Sequence, residues 1–334
     1  MKKVFRFGTA LLALLLMLAG CQTGEAPASG SSQSQGESSQ SASSEAPAEL
    51  PIPGIDAENY PSINGSTANH PLICRIYSEI CGVSMEDAET MVNLDMGSTG
   101  SIWMNMMEGY GPDLLIAYEP PEEVKEEYAA QLAELEIDPL GRDGLVFLVN
   151  ARNPVDSLTV EELQGIYTGR ITDWSEVGGE AGPIQPFQRN ADSGSQTLFL
   201  KLLMDGLTPM DPPTELVQVT MGGLIDGVAS FDGSGSALGY SVYYYASLMY
   251  ANPDLKILSV DGVAPSAETI GDGSYPLTND FYVAIRADLP EDSPVRALRD
   301  WLLTDEGKRL LTEENYVWAR DGLPQEASGV NPFA

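Results

Sequence analysis

Basic residues and histidine are scarce in this chain. Its 334 residues hold 17 Lys and Arg against 49 Asp and Glu, with His70 as the single histidine. A formal charge of −32 repels phosphodiester backbones, whose binders depend on Lys and Arg to displace counterions, so nucleic-acid partners are excluded. One imidazole and three cysteines, Cys21, Cys74 and Cys81, supply neither a multi-histidine metal centre nor a four-cysteine zinc site, and no metal or cofactor is expected. A Ser-His-Asp triad would have to run through His70 alone. Also missing are a GxxxxGK[ST] phosphate loop and a DxDxDG calcium loop. The stretch from Gly233 to Gly239 has GxGxxxG spacing instead, and the carboxylates are scattered as on a solvated surface.

The chain opens as an export signal does. Lys2, Lys3 and Arg6 precede an apolar run from Ala10 to Ala19, about half the length that crosses a bilayer. Leu18-Ala19-Gly20-Cys21 follows, and it resembles the lipobox of bacterial lipoproteins. That resemblance implies removal of the signal peptide 1–20 and acylation, palmitate included, on Cys21. Cleavage removes three basic residues and no acidic one, taking the formal charge from −32 to −35. Such a surface gains no hold on anionic lipid by charge, so the acyl chains would make the attachment. From Cys21 to residue 54 the chain is expected to be a tether: residues 22–50 hold nine Ser and no aromatic, Lys or Arg. At ~5.5 Å × √n such a coil reaches roughly 30 Å.

At roughly 150 residues per domain the length suggests about two domains. From residue 55 onward short β-prone runs alternate with helical periods, the pattern of an α/β fold. Strands are predicted at 113–118, 144–150, 256–260 and 281–286, and helices at 122–136, 159–167, 196–204 and 293–311. Cys74 and Cys81, seven apart on one predicted helix, would hold their Cα atoms about 10.5 Å apart, too far for a disulfide, and are expected as small core residues. The run Tyr243-Tyr244-Tyr245 is expected to pack, with a cleft lining as the alternative.

Three helix starts share one chemistry: Gly65-Ser66-Thr67-Ala68, Gly97-Ser98-Thr99-Gly100 and Ser193-Gly194-Ser195-Gln196, the last with Arg189 four residues ahead of Ser193. Each alone is an ordinary helix cap. Together they assemble hydroxyls, free backbone N–H groups, positive dipole ends and one bidentate cation, the inventory of an anion site without a nucleophile–base pair.

On these residues the chain resembles the PstS-like family, the substrate-binding proteins of phosphate ABC importers with the type II periplasmic binding fold. The resemblance covers most of residues 60–320. It is carried by Gly65-Ser66-Thr67-Ala68 with Pro71-Leu72, by Leu158-Thr159 and Ile166 through Trp174, by Arg189 with Ser193-Gly194-Ser195, and by Ala237-Leu238-Gly239-Tyr240. It implies two α/β lobes joined by two crossover strands at a hinge, 55–144 plus 284–330 and 145–283, closing on an anion. Carried over residue by residue, it assigns phosphate oxygens to Thr67, Ala68 (through its backbone N–H), Ser98, Arg189, Ser193, Gly194 and Ser195.

One position departs from the family. Where it commonly has an aspartate that accepts the proton of hydrogen phosphate, this chain has Tyr118, followed by Glu119. Either Glu119 or Tyr118 takes that role, or the anion is a different one, sulfate-like or an organic phosphate. Arg142 and Asp143, beside the first expected crossing, are read as hinge supports, with contact to the ligand as the alternative. The partners implied are inorganic phosphate and the permease and ATPase subunits of an importer, with the protein monomeric and lipid-anchored on the outer face of a Gram-positive membrane, or periplasmic in a Gram-negative cell. A sensory relative and a phosphoesterase using a serine of Ser193-Gly194-Ser195 are the alternatives. Against the latter, no base is visible.

Overall fold

Apolar alternation and strand pairing build the protein around one mixed sheet. The computed structural model describes residues 51–92, 94, 97–231, 236–321 and 331–333; the signal peptide, Cys21 and the tether up to residue 50 lie outside them. The main sheet has eight strands. Its axis is a 16-residue strand, Leu135–Asn150. From residue 135 to 144 this strand pairs antiparallel with Thr278–Arg286, which in turn pairs with Leu114–Ala117, and that strand runs parallel to Ile63–Gly65. From Leu145 to Val149 the partner becomes Ala237–Val242, with Leu255–Ile257 alongside residues 148–150. The change of partners at Gly144/Leu145 divides the sheet into two halves. The Leu145 amide donates to the Leu277 carbonyl at 2.8 Å, so the second chain crossing lies beside the first.

Helices cover both faces of each half. The amphipathic helix His70–Cys81 buries Leu72, Ile73, Ile76 and Ile80, the i, i+1, i+4, i+8 stripe visible in its sequence. It ends on Gly82 in the left-handed conformation, as helix stops commonly do. Thr99–Glu108 packs Ile102, Trp103 and Met106 on the other face. In the second half Val160–Tyr167 opens with a Thr159/Glu162 capping box, and Met221–Ser230 lies over Gly239 and its neighbours. Cys74 and Cys81 are free thiols, the first buried in the core.

Several predicted boundaries move. Ile52 and Ile55 are buried in the core, so the folded part begins within the stretch expected as tether. The expected helix 122–136 breaks at Tyr128 into Glu122–Glu127 and Ala129–Leu132, and residues 135 onward are strand. That strand carries Glu136, Asp138, Pro139 and Gly141, which spoil its apolar pattern; their compensation comes from afar. Arg299, on the helix Pro294–Leu302, reaches Asp138 at 2.9 Å and also pairs with Glu136, while Arg296 holds Glu136 at 2.8 Å. The helix expected over 293–311 is two, Pro294–Leu302 and Asp305–Glu313, hinged at Thr304.

Gly141 meets the buried ring of Phe281, to which an added Cβ would come within 2.2 Å. Gly141→Ala is therefore expected to destabilise the fold by about 1–3 kcal/mol, read as a lowered urea midpoint with unchanged slope.

Candidate anion-binding site

The cleft between the two halves encloses about 370 Å³. One wall is the turn after Ile63–Gly65, where Ser66 and Thr67 open a 3₁₀ turn that leads into His70–Cys81. Beside it Ser98 caps the helix Thr99–Glu108, its hydroxyl accepting from the Ser101 amide at 3.1 Å. The opposite wall holds Arg189 at the end of a two-residue strand and the Ser193-Gly194-Ser195 start of a helix that runs α then π from Gly194 to Met204. Thr220, cap of Met221–Ser230, completes it. Four helical N-termini therefore converge, and their leading amides have no partner of their own inside the helix.

Arg189 is the single charged side chain among the residues lining this cleft, in a chain with 49 carboxylates. It is 9% exposed, and among the described residues no carboxylate forms an ion pair with it. Its Nε donates to the Gln218 carbonyl at 3.0 Å, Nη2 to the Val219 carbonyl at 2.9 Å and Nη1 to Ser195 Oγ at 3.1 Å. A guanidinium has five N–H donors, so two remain for a ligand. Burial lowers its pKa to about 10, which leaves it charged at neutral pH. The Ser193 and Ser195 hydroxyls, 3.0 Å apart, sit beside it. This arrangement can bind a tetrahedral anion by charge-assisted hydrogen bonds from both walls.

A family model described as a PBP superfamily domain matches residues 85–306. The chain belongs to the PBP superfamily. Among curated relatives, it is 26% identical over 65% of its length to "Phosphate-binding protein PstS" of Bacillus subtilis (strain 168), spanning 66% of that protein. A solved phosphate ABC transporter substrate-binding protein from Clostridium perfringens, described as putative and holding bound phosphate, superposes with a TM-score of 0.61 at 23% identity, covering 78% of this chain and 100% of that one. An ABC-type phosphate transport receptor from Vibrio cholerae gives a TM-score of 0.56 at 24% identity, covering 77% and 99%. These structures share the two-lobed α/β fold.

Within this PBP-superfamily cleft the structure brings together Thr67, Ser98, Arg189, Ser193, Gly194, Ser195 and Tyr118. Ala68 is fully buried behind Thr67, its carbonyl accepting from the Tyr316 hydroxyl at 2.7 Å, so only its amide could face a ligand. Ser66, Thr99 and Thr220 line the cleft without having been singled out. The first two lay inside the quoted motifs, and Thr220-Met221-Gly222-Gly223 repeats the hydroxyl–glycine signature. Tyr245 lines the cleft while Tyr244 stacks on Tyr316 with centroids 3.7 Å apart. Arg142 pairs with Asp280 at 2.8 Å, away from the cleft.

Glu119, expected as a proton acceptor, turns away from the cleft. It is buried in an adjacent cavity, where Oε2 meets Lys201 at 2.9 Å and Lys125 at 3.5 Å. The cause is alternation: successive residues leaving the strand Leu114–Ala117 point to opposite sides, Tyr118 into the cleft and Glu119 out of it. Lys201 also donates to Asn279 at 2.9 Å. It belongs to the helix that starts at Ser193, so the ion pair ties the two walls together. A second tie runs from the Gly100 amide to the Asp192 carbonyl at 3.2 Å.

The walls touch most closely where a Cβ on Gly194 would fall 2.6 Å from Thr99 Oγ1. Gly194→Ala is expected to hold the walls apart and weaken binding of a tetrahedral oxyanion roughly tenfold or more, measured calorimetrically, with little change in melting temperature. Lys201→Met, which leaves Glu119 only its longer contact to Lys125, is expected to cost about 1–2 kcal/mol in urea unfolding.

Proposed function

We propose that this protein is a solute-binding protein that captures inorganic phosphate between its lobes and hands it to an ABC permease. The observation that carries this reading is Arg189, a buried cation with no carboxylate partner among the described residues, facing a cleft otherwise lined by hydroxyls, helix starts and uncharged side chains. The phosphate-binding names of the relatives support the same cargo. Thr67, the Ala68 amide, Ser98, Arg189, Ser193, Gly194 and Ser195 are the proposed ligand groups. Micromolar capture needs about 8 kcal/mol; several charge-assisted hydrogen bonds at ~1.5–3 kcal/mol each supply more than that, and the surplus offsets lobe closure and ligand immobilisation.

Binding rather than turnover is proposed because Ser193 and Ser195 have each other and Arg189 as neighbours, and a cation beside a serine does not take its proton. The lobes are proposed to divide at 144/145 and near 277/278, where strand partners change. Cys21 is proposed as the acylated anchor that holds the protein outside the membrane, as a monomer. A second reading, an organic phosphate, is favoured by cleft size: about 370 Å³ is room for roughly ten waters, more than a bare oxyanion fills.

Calorimetric titration of the full chain with inorganic phosphate tests the proposal. Micromolar binding is expected, weakened about a hundredfold or more in Arg189→Ala; absence of phosphate heat would overturn it, and a phosphate monoester binding more tightly than phosphate would favour the second reading.

A further inference from the structure

The ion pair that joins the two halves beside the cleft has unequal members. Glu119, which leaves the strand Leu114–Ala117, keeps 2% of its side-chain surface in water, whereas Lys201 on the facing helix keeps 46%. Glu119 Oε2 takes both of its lysines, and among the described residues Oε1 has no hydrogen-bond partner. Lys125 comes from the same half as Glu119 and is shared, 3.2 Å from Glu122 against 3.5 Å from Glu119. Lys201, at 2.9 Å, is therefore the principal counter-charge, and it comes from the opposite wall.

Two features aim Lys201 at this spot. It sits in the π-helical segment Phe199–Met204, whose wider turn redirects a side chain relative to an α-helix run on from Ser193. Its ammonium also donates to Asn279 Oδ1 at 2.9 Å, on the strand Thr278–Arg286 just past the second crossing. Both contacts of Lys201 thus reach the half that carries Thr67 and Ser98, and neither group it meets lies in the cleft lining.

We infer that Lys201 is a positioning residue for anion capture: by neutralising Glu119 it permits the wall-to-wall arrangement in which Thr67, Ser98, Arg189, Ser193 and Ser195 face one anion. The cargo, though not the geometry, rests on the phosphate reading above. With the walls together, Glu119 is out of water and needs a cation; with the walls apart, water reaches it and the need lapses. Lys201, half exposed at the rim, gives up little solvent in either arrangement. Without it, the joined arrangement holds a buried carboxylate with only a shared partner. The competent fraction of molecules then falls, and apparent affinity falls in proportion.

The Gly100 amide reports wall contact with no ligand present. As the second residue of the helix Thr99–Glu108 it has no partner inside the helix, and its bond to the Asp192 carbonyl at 3.2 Å exists only while the walls meet. Amide exchange at Gly100, followed by NMR on the ligand-free full chain, is paired with phosphate calorimetry in wild type, Lys201→Met and the double variant Glu119→Gln with Lys201→Met, with circular dichroism to check folding. Lys201→Met is expected to speed Gly100 exchange about fivefold or more and to weaken phosphate binding about tenfold. The double variant, with no charge left to bury, is expected to return both to within about threefold of wild type, a rescue that a lysine acting only on overall stability would not show. A folded Lys201→Met that keeps wild-type exchange or wild-type phosphate affinity overturns the inference, as does a double variant that stays as impaired as Lys201→Met. A wild type that binds no phosphate overturns the phosphate reading, and Gly100 exchange alone then decides the role of Lys201.

Discussion

A guanidinium taken out of water without a counter-charge is the constraint around which this molecule is arranged. Removing such an ion from solvent costs several kcal/mol unless its donors are satisfied. Two backbone carbonyls, Gln218 and Val219, and the Ser195 hydroxyl satisfy part of the Arg189 fork and fix its plane. Gln218 is presented by a parallel pairing with the strand that carries Arg189 itself, so the positioning is built into the backbone. What is left unsatisfied is charge and two N–H groups, and both point to an anion supplied from outside.

The rest of the site makes sense as a way of bringing neutral donors to that anion without adding acids. In a chain this acidic, a cleft with no lining carboxylate requires that the nearest ones be occupied elsewhere. Glu119 is turned outward and held by two lysines, and Asp143 is screened behind Tyr118. Long-range steering works against capture on a surface of this sign, so local dipoles at four helix starts and one buried cation have to suffice. The contacts that close the cleft sit on the same elements as the ligand groups. Gly194 abuts Thr99, and Lys201 lies farther along the helix that begins at Ser193. Proposed ligand groups and wall contacts are thereby carried by the same elements.

Much of the site was legible in local chemistry. Hydroxyls and glycines at helix starts announce themselves because capping and close approach are short-range requirements. The Arg189–Ser193 spacing could be read for the same reason. The strands Leu114–Ala117 and Thr278–Arg286 and the helix Val160–Tyr167 emerged near their predicted positions from apolar patterning. The long strand did so only from residue 144 on: ahead of it Glu136, Asp138, Pro139 and Gly141 are poor strand residues in isolation, and the arginines and Phe281 that accommodate them lie more than a hundred residues away. Ala68 was named for an amide whose side chain is sealed in the core, a distinction that spacing does not make.

The sequence by itself determined the α/β class, the acidic surface, the absence of metal-binding cysteine and histidine sets, and the elements of an anion site, because each follows from composition or from neighbours within a few residues. Tertiary structure alone decided which of two adjacent residues, Tyr118 or Glu119, faces the cleft, and that Asp143 takes the phenol hydrogen. Those outcomes depend on which side of a strand a residue leaves and on a partner 25 positions distant. Local sequence carries no record of such a pairing, since the energy that selects it comes from burying both groups together.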